Sequence, residues 1–546
     1  MNPLASTKYT GRLLMALAVI STILFAAGCG TNNSVVVTPP PGGSFSDSNL
    51  SGTYVFSTSG SDIDGVFLSL AGTLVADGKG GIASGTMDVV DPEVPALSPV
   101  AQAITGSYNV GVDGRGQAKL TSTGYGTFVL DFVLTSVANG VATDGLASEF
   151  DGNGTGSGTI DLQTPIASLS QLQGPYAFSL AGYDINDNPD FTVGAFTLDQ
   201  NGDITVGVQD FNDFRFPYLQ LAIPATTGAL TLGTGTGPGQ LVLTTGTFGT
   251  LHFDFYPVDA THLKLIETDI APAPVLAGDV FTQTGASIPN GPAVFTLGGL
   301  DSNSNPVFVG GVMTSGGQGN FTAGLEDAND DGSLSPAQLS FSGSLDAANS
   351  GPTGSRTVVN TSGFYPYSNA EVGQWVIYPS SGGLLILETD NSAMTTGAAF
   401  AQTSTTLSTS PGYGFNLSAI NLGNPNFGQN PYEEDDIAEF TTTSTEITGA
   451  VDINDQGLQA TTQGLTGTYP IPIDSTGRGG VSTSVFNYYF YVVSPSTFLL
   501  LETDANQVGA GAFEEQSSLS SQAAAAKSHI SMVRPVVRLH PALRRK

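Results

Sequence analysis

Cysteine is almost absent. Cys29 is the only one in 546 residues, so no disulfide can form within one chain. An oxidising compartment therefore adds nothing to stability, and the folded part holds by packing and hydrogen bonding. Positive charge is nearly as scarce: 15 lysines and arginines stand against 47 aspartates and glutamates, a formal charge of −32 at pH 7. Lys8 and Arg12 sit in the leader, and six basic residues lie between Lys527 and Lys546. Only Lys79, Arg115, Lys119, Arg215, Lys264, Arg356 and Arg478 remain in the body, which holds every acidic residue. A field of that sign repels nucleic acid and excludes it as a partner of the body. Helical periodicity is missing too, and the alanine-rich Ser521–Ser528 is the sole helix candidate outside the leader.

What is present begins at the N-terminus. Lys8 and Arg12 precede an apolar stretch, Leu13–Phe25, of 13 residues. A bilayer core takes about 20 residues, so this is the layout of a secretory signal rather than a membrane span. The string Ala26-Ala27-Gly28-Cys29 closes it. Small residues directly before a cysteine resemble the lipobox of bacterial lipoproteins, although Ala26 stands where leucine is commonest in that family. The resemblance implies that residues 1–28 are removed and that Cys29 is acylated to become the mature N-terminus. It also implies an exported protein whose partner is a membrane, reached through the lipid. Gly30 does not read as a signal for retention at the inner membrane, which favours the outer membrane or the cell surface. Residues 29–46, with Pro39-Pro40-Pro41-Gly42-Gly43, form a polar tether that cannot bury enough apolar surface to fold. Extended at about 3.3 Å per residue, it spans roughly 50 Å.

Beyond the tether, three landmarks repeat in phase four times. The opening strand recurs around Phe56, Phe178, Phe295 and Phe415. A middle motif places Asp88, Asp210, Asp327 and Asp452 three residues after a glycine, with Asn212, Asn329 and Asn454 two residues further on in the last three units. The closing motif Glu-x-Asp appears as Glu149/Asp151, Glu267/Asp269, Glu388/Asp390 and Glu502/Asp504, followed by Gln163, Gln283, Gln402 and Gln516. The units are 47–165, 166–285, 286–405 and 406–517, and a basic tail, 518–546, follows. In the first unit, eight strand-like runs alternate with turn clusters such as Asp113-Gly114-Arg115-Gly116. An antiparallel meander of eight strands loses its edges most simply by closing, so each unit is expected to be an all-β, eight-stranded up-and-down barrel, with a β-sandwich as the alternative. The short connectors predict a semi-rigid curved rod. In general character the body is similar to Gly/Asp-rich β-repeat lipoproteins of bacterial envelopes, a likeness that implies no activity.

Four side-chain patterns are candidates for chemistry. Asp327, Asn329, Asp331 and Gly332 match the opening of an EF-hand-type loop, which makes calcium the one candidate cofactor. Gln338 stands where that loop needs a bidentate glutamate, and Asx-turns that cap a hairpin explain the same residues without metal. Each Glu-x-Asp puts two carboxylates on one strand face, as in glycoside hydrolysis, but fourfold repetition points to architecture. His252 and His262 are the only body histidines and read as packing residues. Trp375, beside Tyr365, Tyr367 and Tyr378, is either core or part of a sugar-stacking platform. The reading that results has no catalytic residue. It is a non-enzymatic surface spacer, adhesin or scaffold that meets an envelope or extracellular polymer or protein. The alternatives are a module binding a glycan or a small apolar molecule, then an envelope hydrolase.

Overall fold

The computed structural model describes residues 45–516 apart from short stretches, the longest being 93–99, 366–371 and 424–430. The leader with Cys29, the tether up to residue 44 and the tail with Ser521–Ser528 lie outside the described residues. Described strands are antiparallel throughout. Barrel 1 closes with eight: Ser51–Asp62 pairs on one side with Phe67–Asp77 and on the other with Gly154–Leu162. Its other strands are Gly81–Val90, Gln102–Val110, Arg115–Ser122, Gly126–Ala138 and Val141–Asp151. Asn139 and Gly140, at φ 53° and 81°, join the last two in the two-residue turn that suits a twisted hairpin.

Barrel 3 and barrel 4 close in the same way. Pro306–Ser315 pairs with Phe321–Asp330 in one, and Tyr432–Thr442 pairs with Glu446–Asp455 in the other. Barrel 2 differs from the expected eight strands. Its fourth strand is split into Phe216–Ile223, which pairs with Ile204–Asp213, and Leu230–Thr231, which pairs with Gly239–Thr245. Pro224 follows the first half directly and has no N–H to donate to a ladder, so the strand breaks there into a nine-stranded sheet.

Alternation along each strand sends one set of side chains into a barrel and the other set toward its neighbours. The repeated phenylalanines Phe56, Phe178, Phe295 and Phe415 point inward and are buried. Across from the first three lie Gly72, Gly194 and Gly311, where a Cβ would come within 2.8, 2.4 and 3.1 Å of the ring. The pairing of Phe and Gly in the repeat is thus a space-filling requirement. Barrel interiors are packed with side chains: Trp375, wholly buried, is surrounded by Phe295, Phe321, Phe341 and Phe364.

The outward set joins the barrels. Val55, Phe67 and Ala71 of barrel 1, Phe191 and Val193 of barrel 2, and Tyr378 and Leu385 of barrel 3 belong to one apolar cluster. Val294 and Phe308 of barrel 3 meet Tyr491 and Leu499 of barrel 4 in another. Val133 and Leu146 of barrel 1 meet Ile437 of barrel 4 in a third. The expected rod is therefore corrected: barrel 4 returns to barrel 1, and the junctions form a closed cycle.

Candidate functional site

The middle motif lies on the outward face of each barrel's third strand and spends its side chains on the next barrel. Asp210 receives Arg356 Nε at 2.7 Å, Arg356 Nη2 at 2.6 Å and the Tyr378 hydroxyl at 2.5 Å. Asp327 receives Arg478 Nε at 2.6 Å, Nη2 at 2.9 Å and the Tyr491 hydroxyl at 2.6 Å. In each case a planar guanidinium grips both carboxylate oxygens, the geometry in which arginine is strongest. Burial alone opposes a charged Arg356, but the bonds to Asp210 more than offset it and raise its pKa above the usual arginine value. The asparagine two residues on does the same for the backbone. Asn212 donates to the Glu388 carbonyl at 2.9 Å, Asn329 to those of Glu502 and Gln507, and Asn454 to those of Glu149 and Gly154. The closing glutamine completes the contact. Gln163 donates to Pro257, Gln402 to Thr476 and Val492, and Gln516 to Asp113 and Leu134, always on the next barrel in the cycle.

The junction of barrel 4 with barrel 1 therefore repeats the others although no peptide bond crosses it. A head-to-tail contact used four times closes a ring when the rotation per step allows it. This fourth junction has Arg115 on Asp452 at 2.8 Å, but Val133 occupies the place of the tyrosine. The junction of barrels 1 and 2 keeps the tyrosine, with Tyr256 donating to Asp88 at 2.6 Å. It has Pro238 in place of the arginine and Val90 in place of the asparagine. Burial, and then the nearby Asp254, push the Asp88 carboxyl up to about 8. A different cation serves here: Lys264 lies 3.2 Å from Asp161 and 3.7 Å from Asp279, and His262 bonds Asp279 at 2.7 Å.

The Glu-x-Asp acids divide their work. Each aspartate caps the strand beside it: Asp151, Asp269, Asp390 and Asp504 accept the backbone N–H of Val129, His252, Gln374 and Asn487. The glutamates lie away from the solvent edge. Glu149, Glu267, Glu388 and Glu502 are at most 1% exposed. Burial pushes all four well above the ordinary carboxyl range, and the paired aspartate adds to it. Buried in this way, they cannot reach a substrate.

The remaining candidates are also placed. Asp327 and Asn329 are committed to barrel 4 as described, and Asp331 stands in the following turn at φ 51°. Asp327 and Asn329 thus spend their side chains on barrel 4, and among the described residues no group of three Asp, Glu, His or Cys is set to hold a metal. Trp375 offers no face to a sugar. His252 bonds Asp269 at 2.7 Å on the surface, away from the junctions. A cavity of about 610 Å³ lies between barrels 2 and 3, lined by Ala195, Val206, Val208, Ala222, Gln283 and Arg356 among others.

No family model and no curated protein matches this chain. Among solved structures it is similar to a double mutant of the vaccine antigen transferrin-binding protein B from Haemophilus parasuis. That likeness has 10% identity over 70% of this chain and 85% of the other, at a TM-score of 0.18. A second likeness, to the P pilus usher PapC translocation pore, has 8% identity over 84% and 97% of the two chains, at a TM-score of 0.12. At such scores neither likeness supports an argument about fold or function.

Sequence reasoning missed the partners of the repeated aspartates. A signal was present: of seven body cations, Arg115 and Arg478 open the same strand in two units, and Arg356 directly precedes it in a third. Scarcity made that phase informative.

Proposed function

We propose that this chain is a non-enzymatic lipoprotein of the bacterial cell envelope, whose four barrels act as one rigid scaffold held off a membrane by the acylated Cys29. The observation that carries the reading is how the repeated polar residues are spent. The Asp, Asn and Gln landmarks bind the barrels to each other, and the repeated Glu is sealed away from solvent. A repeat built for catalysis would expose its carboxylates, whereas one built for shape buries them. The leader and tether supply the address, most consistent with the outer membrane or cell surface, and two or more acyl chains make a stable anchor. The experiment is mass spectrometry of the mature N-terminus together with membrane fractionation. A diacyl or triacyl Cys29, and release of the Cys29→Ser protein from the membrane fraction, are expected. An unmodified thiol on a membrane-free protein overturns the anchor.

A second reading, a module that binds a small apolar molecule or glycan, is favoured by the cavity between barrels 2 and 3. Its size falls within the range of small-molecule sites, about 300–1,000 Å³, and Val206 on its wall is 62% exposed. A glycan and lipid array probes it, with Val206→Asp as the variant that should abolish any specific retention.

A further inference from the structure

We infer that the junction of barrel 4 with barrel 1 is an exchangeable docking surface, and that a second copy of this chain can take the place of the chain's own barrel 1, head to tail. The two faces are shown to be complementary, because they meet within one molecule. Gln516 of barrel 4 reaches Asp113, Asn454 reaches Glu149 and Gly154, and Arg115 reaches Asp452. No direct connector crosses this junction, and barrels 1 and 4 are tied only through barrels 2 and 3. A heterologous contact of this kind adds copies without limit if the ring opens.

This junction is held mainly by polar side chains rather than by apolar packing. Its apolar cluster is small, Val133 and Leu146 against Ile437, whereas the junction of barrels 3 and 4 adds Phe308, Tyr491, Leu499 and Leu501 to its own. Barrel 1 brings Asp113, Asp131, Glu149 and the single cation Arg115 to it. Barrel 4 brings Glu433, Asp435, Glu439, Asp452 and Glu514. Several of these are satisfied: Thr155 and Ser157 donate to Asp435, Thr135 to Glu514, and Gln117 to Asp131. Glu439 is 3% exposed, and its Oε1 has no partner. Burial, then Asp113, push Glu439 up to about 8, and burial, then Asp452, push Asp131 up to about 7. Both therefore hold protons in the closed junction that the open one releases. The contribution to closure is complete below about pH 4 and is lost as pH rises toward 8.

The test places one cysteine on each face. A Cβ on Gly414 would lie 2.8 Å from Thr135 Cγ2, so the full chain carrying Cys29→Ser, Thr135→Cys and Gly414→Cys can form a disulfide across the junction. Diamide is the oxidant and a non-reducing gel the readout. Barrel 1 competes for its own partner at an effective concentration on the order of millimolar, so exchange needs concentrated protein. Dilute protein at pH 5 should give a bond within one chain. Concentrated protein held at pH 9 before oxidation should give a ladder of dimers and larger species. Adding Glu439→Gln and Asp131→Asn should suppress that ladder. If the cysteine variants do not fold, sedimentation of the Cys29→Ser chain at the two pH values reads the same equilibrium. A bond confined to one chain under every condition, or a monomer throughout, overturns the inference.

Discussion

Two junctions of the cycle are alike and two are not, and the contrast separates what the repeat needs from what it tolerates. Where barrels 2 and 3, and barrels 3 and 4, meet, an arginine and a tyrosine converge on one aspartate, and an asparagine fastens the next barrel's backbone. At the junctions that involve barrel 1, one member of that pair is missing and a second aspartate has entered. Asp254 faces Asp88, and Asp131 faces Asp452. The equivalent positions in barrels 3 and 4 are Val376 and Tyr489, and Arg478 lies 4.0 Å over the Tyr489 ring. A complete pair therefore accommodates one charge of each sign, whereas an incomplete one stores protons. The contacts are the same in shape and differ in whether they store protons.

The largest effect should come from removing the cation where the pair is complete. Arg478→Ala leaves Asp327 buried without its partner, and breaking a buried pair costs about 3–5 kcal/mol. Arg356→Ala should act alike on Asp210. Arg115→Ala should cost less, because Arg115 is more exposed, at 12%, and Thr462 still donates to Asp452. Hydrogen exchange along the facing strands, Phe321–Asp330 with Arg478–Thr483 and Glu446–Asp455 with Arg115–Ser122, reads each junction separately. Equal protection losses in the three variants would show that the pairs do not differ.

Next in size is the pH response. Asp88, pushed up to about 8, is protonated in the folded state over a range in which the unfolded chain ionises. The junction of barrels 1 and 2 is thus most stable below about pH 4 and weakens up to about pH 8. Asp88→Asn should flatten that slope. Pro238→Arg should supply the missing cation opposite Tyr256 and stabilise the junction at pH 8 by about 1.5–3 kcal/mol. Thermal melts from pH 4 to 9 check both, and an unchanged slope in Asp88→Asn would remove Asp88 as its source.

Much of this architecture could be read from the sequence. Strand positions in barrel 1 followed from turn chemistry at Asp77-Gly78 and Asp113-Gly114, and barrel closure followed from the need to hide edges. Repetition of Asp-x-Asn was visible, but its meaning was not. A strand's period shows that Asp327 and Ala328 point to opposite faces without showing what covers the outer one. Calcium and Asx-turns are local explanations, whereas the answer, Arg478, lies 151 residues away. The ring escaped for the same reason: closure of barrel 4 on barrel 1 depends on the rotation per junction, which no local pattern records.

The finest discrimination comes from the tyrosines. Tyr491 and Tyr378 donate to carboxylates already held by arginine, so their hydroxyls bond to charge. Tyr256 donates to a carboxyl that keeps its proton through neutral pH. Hydrogen bonds to charged groups contribute about 1.5–3 kcal/mol and neutral ones about 0.5–1.5. At pH 6, Tyr491→Phe and Tyr378→Phe should each cost about 1 kcal/mol more than Tyr256→Phe. Above pH 8, where Asp88 ionises, the Tyr256 bond strengthens and that gap should close. Equal costs at both pH values would mean that Asp88 is already charged at pH 6, and that Lys264 rather than a proton balances the junction.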